Sequence, residues 1–266
     1  MRIGSAHPGE IALSPRTLSP EKESLRKYLI AALVAVLSIA VTAVAVGQTP
    51  STAPDVDMSL TPTNAGTKKK PKNSTLKLFV KNNQTDATVD TITVNLGKNI
   101  KLSGKGFKYC TADTLNAQGI TACPSGSKAG KGTANAVVGP GKAPLGFTVD
   151  AFVGSKNSII FYVQQEGGGT VRKALTGKVS RASGKFGSKI VIKIDEDLQQ
   201  PGPGVFSSLV DLQTTIKAKR GKNYLVSSIG CKSKKHNFGV KFTFAPNATF
   251  PATGSISGTT TTKCKK

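Results

Sequence analysis

Three stretches carry side chains whose types and spacing could do chemistry. Asp195-Glu196-Asp197 is the densest acidic run. Paired carboxylates can hydrolyse a glycosidic bond, and clustered ones can hold calcium. The run lacks the D-x-[DN]-x-[DN]-G spacing of a calcium loop and is followed by Gln199-Gln200-Pro201. It reads as a solvated strand end. His236 sits among Lys232, Lys234 and Lys235. As a catalytic base it would need a nucleophile beside it, and no G-x-S-x-G elbow occurs, so an exposed turn histidine is expected. Gly126 to Thr133 (GSKAGKGT) has the glycines and lysine of a phosphate loop. Three residues rather than four separate Gly126 from Gly130, and Gly132 replaces the Ser or Thr after Lys131. A turn entering a strand is expected there. No catalytic residue, metal ligand or cofactor is therefore expected. The enzymatic alternative is a wall- or polysaccharide-modifying hydrolase using Asp195, Glu196 or Asp150.

The cations are the larger signal. The chain of 266 residues carries 37 Lys and Arg against 14 Asp and Glu, a formal charge of +23. Clusters fall at Lys68, Lys69, Lys70 and Lys72; at Lys217, Lys219, Arg220 and Lys222; at Lys232, Lys234 and Lys235; and at Lys263, Lys265 and Lys266. Beyond residue 47 the only arginines are Arg172, Arg181 and Arg220. Lysine is a hydrated point charge, whereas arginine supplies the fork that reads base edges. This balance predicts association with anionic surfaces and no sequence-specific nucleic-acid reading.

All four cysteines, Cys110, Cys123, Cys231 and Cys264, follow a long apolar segment near the N-terminus. An even count in an exported chain predicts two disulfides, with three connectivities open. Cys110–Cys123 and Cys231–Cys264 join the cysteines nearest in sequence and are favoured. A zinc site is not expected, because the spacings are long and no CxxC occurs.

Cys110, Cys123-Pro124, Ser127, Gly130, Gly132 and Ala134 form a pattern Cys-x12-CPxxSxxGxGxA. It resembles a group of uncharacterised exported β-proteins of actinobacteria. Leu60 to Asn73 (LTPTNAGTKKKPKN) and Leu198 to Leu209 (LQQPGPGVFSSL) resemble the same group. The resemblance covers most of the chain after the apolar segment. It implies an exported β-rich fold and carries no activity.

The apolar segment is Tyr28 to Val46, preceded by Arg26-Lys27 and followed by small residues up to Gly47. It reads as a secretory signal cut after Gly47, with a retained membrane anchor as the alternative. The expected organisation is a lead at 1–27, the signal or anchor at 28–47, a Pro/Thr/Ser linker at 48–54 and one folded domain at 55–266. A split near Gly167 is the alternative.

The domain alternates apolar and polar residues at period two. Leu76, Leu78 and Val80 share one parity, as do Ile92, Val94 and Leu96, and Phe238, Val240, Phe242 and Phe244. Val210, Leu212, Thr214 and Ile216 form another such set. Period two places each set on one sheet face. Ser158 to Val163 (SIIFYV) is continuously apolar and reads as a central strand. Ten to twelve short strands and no amphipathic helix are expected after residue 48. The fold class is all-β, an antiparallel β-sandwich of Ig-like or jelly-roll-like type, preceded by one hydrophobic N-terminal helix.

The functional expectation is an exported, non-enzymatic protein of the cell surface or medium. It would associate electrostatically with an anionic envelope polymer or lipid headgroups, and would touch the membrane itself only through residues 28–46 if these stay attached.

Overall fold

Alternating side chains and frequent turns commit this chain to strands. A computed structural model describes residues 52–265, Ser233 excepted. The expectations for the lead, for the apolar segment 28–47 and for linker residues 48–51 lie outside these residues. The strands in chain order are β1 (Asp55–Thr61), β2 (Lys72–Asn73), β3 (Thr75–Lys81), β4 (Thr88–Gly97) and β5 (Ile100–Leu102). Then come β6 (Lys128–Val138), β7 (Ala143–Ser155), β8 (Ser158–Gln165), β9 (Arg172–Arg181), β10 (Phe186–Lys193) and β11 (Ser207–Ile216). The last are β12 (Lys219–Arg220), β13 (Asn223–Tyr224), β14 (Val226–Ser228), β15 (Lys235–Ala245) and β16 (Gly254–Lys263).

Eleven of these make one sheet, in the order β1-β3-β11-β6-β7-β8-β9-β10-β4-β15-β16. Every neighbouring pair is antiparallel. The expected antiparallel all-β class is what the chain adopts. The two facing halves come from one sheet rolled nearly closed. β8 and β9, on either side of Gly167, are paired neighbours within it.

Closure follows from counting. Eleven strands of alternating direction leave the first and last pointing the same way, so their seam must be parallel. The chain just beyond these two strands makes a parallel bridge between Asn64 and Lys265. The Ala65 amide donates to the Lys265 carbonyl at 2.8 Å, and the Lys265 amide donates to the Thr63 carbonyl at 2.9 Å.

One parity of each strand fills the interior. Met58, Leu76, Leu96, Ile190, Phe238 and Phe242 are all 2 % exposed or less. The parity holds through β11 only to Leu212. A bulge between Leu209 and Asp211 inserts one residue and reverses the phase. Leu209 rather than Val210 therefore turns toward the interior.

β8 is central, as its apolar run predicts, and it is covered on both faces. Ile159, Phe161 and Val163 join the main core. Ile160 and Tyr162 face outward and pack with Phe152, Ala174 and Leu115. Leu115 belongs to a helix, Ala112–Gln118, that the sequence reading did not foresee. Seven residues are too few to display a helical period, and only Leu115 among them is buried. Its start is set by Thr111, whose hydroxyl accepts from the Thr114 amide. The Cys110–Cys123 disulfide closes this loop, and Cys231–Cys264 ties the chain after β16 back to the segment before β15. Both bonds are the favoured pairings, and they fit an oxidising compartment.

A second small sheet, β2-β14-β5, lies across one end of the roll. From it and the chain beside it, Ile100, Leu225 and Val226 enter the main core. No helix among the described residues is long and apolar enough to cross a membrane.

Candidate functional site

The strand directions sort every connection to one of two ends. Segments 62–74, 98–127, 156–157, 182–185, 217–234 and 264–265 leave and re-enter the large sheet at the end covered by the small sheet, the helix Ala112–Gln118 alone folding back along the outer face of β8. In sequence they hold seventeen Lys and Arg and a single acid, Asp113. Segments 82–87, 139–142, 166–171, 194–206 and 246–253 gather at the opposite end. They hold five acids and one base, Lys142, and Lys142 pairs with Asp86 at that end. The molecule is strongly polarised along the strands.

The basic end collects the expected clusters. Lys68, Lys69 and Lys70 are exposed on the loop after β1, and Lys72 is half-buried on β2. The β2–β14–β5 ladder places Lys72 opposite Ser228 and Lys101 opposite Ser227. Lys217, Lys219, Arg220 and Lys222 are exposed around the β12–β13 hairpin. Lys232, Lys234 and Lys235 are exposed beside the Cys231–Cys264 disulfide. Lys263 and Lys265 follow on β16 and just beyond it, while Lys266 lies outside the described residues. Residues far apart in sequence thus form one cationic surface, which counter-anions would screen beyond roughly 10 Å at 0.1 M salt.

A further cation set was missed by cluster reading. Arg181, Lys189 and Lys241 rim a shallow depression floored by Thr93 and Asn95. Lys189 pairs in register with Asn95, and Lys241 pairs with Thr93. Gly239, also opposite Asn95, has no side chain to fill the hollow, and the Phe186 ring leans over it. The sequence signal is outward parity on three strands, which means nothing until their spatial order is known.

His236 is a correction to the expected exposed turn. It is fully buried, because β15 begins at Lys235 and puts His236 in phase with Phe238, Val240 and Phe242. Neither ring nitrogen has a hydrogen-bond partner. Desolvation lowers its pKa from the ordinary value, favouring the neutral ring. The parity signal was present in the sequence and was outweighed by the lysines around it.

The acidic run is not free. Lys173 on β9 reaches Asp197 at 2.6 Å and Asp195 at 3.3 Å. Its pKa is raised, chiefly by the Asp197 hydrogen bond, with burial opposing. Asp195 precedes a one-turn helix, Glu196–Gln199. Asp150 lies on the outer face of mid-β7, 3.1 Å from Lys128. Asp150 thus stands on the outer wall, while Asp195 and Asp197 meet at Lys173.

The CPxxSxxGxGxA motif has a packing explanation. The buried Ser127 hydroxyl donates to the Pro124 carbonyl at 2.6 Å. A Cβ on Gly130 or Gly132 would lie 2.0 Å from the Thr215 or Gln213 carbonyl oxygen. The glycines let β6 and β11 approach as no larger residue could.

Ala134, the last motif residue, borders an apolar cavity of about 90 Å³ inside the roll. Buried walls come from β4, β6, β7, β8, β9, β10 and β11, with Phe147, Phe161 and Leu175 among them. Toward the acidic end its border is half-buried and includes Leu145, Val171, Leu198 and Pro201. An unfilled space of this size costs about 2 kcal/mol relative to a packed core.

Comparison of the chain with protein-family models, curated proteins and solved structures gave no match.

Proposed function

We propose that this protein works outside the cytoplasm, without catalysis, as a β-fold module that adheres through its basic end to an anionic envelope polymer. The observation that carries this reading is the segregation of charge. Seventeen cations against one acid occupy the connections at one end, and five acids against one cation occupy the other. A uniformly basic coat would hold a polyanion in no preferred orientation. A one-sided field orients the molecule as it approaches a negative surface. Lysine suits an irregular polyanion, because a point charge on a flexible stem makes no geometric demand on its partner. The export part of the reading rests on the apolar segment 28–46 in the sequence, and the two disulfides agree with it.

The test is retention of the full chain on a heparin matrix against salt. Retention should fall steeply as salt rises from about 50 mM to about 300 mM, as counterion release requires. Lys68→Glu, Lys69→Glu and Lys70→Glu together should release the protein at lower salt. Reversing three lysines of the sheet wall, Lys77, Lys81 and Lys178, should do so less. Retention that ignores salt overturns the electrostatic reading. Equal losses from the two triple variants overturn the assignment to the basic end.

A further inference from the structure

We propose that the cavity near the acidic end is a binding site for a small uncharged apolar group, such as an aromatic ring or the last carbons of an alkyl chain. This site is independent of the adhesive end.

Size comes first. At about 90 Å³ the cavity is several times what one water needs (about 10–15 Å³) and approaches the ~150 Å³ of an apolar cavity that takes benzene. Chemistry comes second. No titratable side chain borders the cavity, and its one polar side chain is Ser207. That hydroxyl already donates to the Leu198 carbonyl. Water would find almost no partner inside, whereas a hydrocarbon would meet carbon on every side.

The cavity is made by sequence choices. The interior positions of β6 facing it are Ala134 and Ala136, where β7, β8 and β9 present Phe147, Phe161 and Leu175. The bulge in β11 turns Leu209 toward the space and shapes its wall. Access is built in as well. Leu198 and Pro201, on the segment after β10, are half-buried over the open side. Lys173 clamps that segment through Asp195 and Asp197.

Charge at the rim selects the ligand. Glu196 and the Lys173-paired Asp195 and Asp197 stand beside Leu198. A carboxylate head would meet like charge there, so an uncharged head is favoured.

The experiment is a titration of the full chain, labelled at Ile, Leu and Val methyl groups, with benzene, hexanol and hexanoate. Benzene and hexanol should shift the methyl signals of Val149, Leu175, Ile192 and Leu198 saturably, and equally at about 50 mM and about 300 mM salt. Hexanoate at neutral pH should bind about fivefold more weakly than hexanol. Ala136→Leu fills the space and should weaken hexanol binding at least about tenfold. Ala134→Val is the milder second variant and should weaken it in the same direction. Leu198→Ala opens the rim and should admit octanol more readily than the natural chain does. Lining methyls that do not respond to benzene or hexanol overturn the proposal, as do titrations identical in the natural chain and both alanine variants. Hexanoate binding more tightly than hexanol overturns the uncharged-ligand assignment.

Discussion

Acid should loosen this fold through one residue. His236 is fully buried on β15, its two ring nitrogens are unpartnered, and its neighbours include the Phe238 ring at 6.5 Å. Desolvation lowers its pKa in the folded chain. In the unfolded chain the ring titrates near the ordinary value of about 6.5. Above that pH neither state binds the proton, and stability is unaffected. Below it the unfolded state binds a proton that the folded state refuses, so stability falls as pH falls. The slope is about 1.4 kcal/mol per pH unit for as long as the folded ring stays neutral. Between about pH 7.5 and about pH 5.5 the loss should reach at most about 1.4 kcal/mol, the limit for a folded ring that stays neutral throughout. Urea unfolding followed by circular dichroism at both pH values measures it. His236→Phe keeps an aromatic ring in the space and removes the titration, so its stability should change less across the window by that amount. Groups common to both proteins cancel in the comparison. If the natural chain and His236→Phe lose the same stability between the two pH values, His236 is not the acid-sensitive group and the argument fails.

Two further outcomes follow from packing and cross-links. Leu115→Ala should destabilise the protein by about 3 kcal/mol, because Leu115 is fully buried against the outer face of β8; an unchanged urea midpoint would mean that the helix does not seal that face. Removing Cys231–Cys264 by paired serine substitution should cost about 4 kcal/mol and removing Cys110–Cys123 about 3, since their sequence separations are 33 and 13. The reverse order of urea midpoints would show that chain entropy does not govern these bonds.

Much of the fold was legible locally. Period-two alternation placed Leu76, Leu78 and Val80 inward, as it did Ile92, Val94 and Leu96, because strand geometry couples parity directly to sheet face. The unbroken run in β8 announced burial on both faces. His236 obeyed the same parity, and local charge was the wrong guide to it. The helix Ala112–Gln118 gave no periodic signal, since its existence depends on Leu115 finding Phe152, Ile160 and Tyr162 on other elements.

By itself the sequence determined the all-β class, the inward face of most of its alternating strands, the favoured disulfide partners and the excess of lysine. Each of these is set by residues close together in the chain. Only the tertiary structure decided that eleven strands roll into one nearly closed sheet, that scattered lysines share one end, and that two alanines on β6 leave an apolar space beside the opposite end. Those features depend on strand order, on direction and on what stands across the core. Such relations join residues far apart in sequence, and no local spacing encodes them.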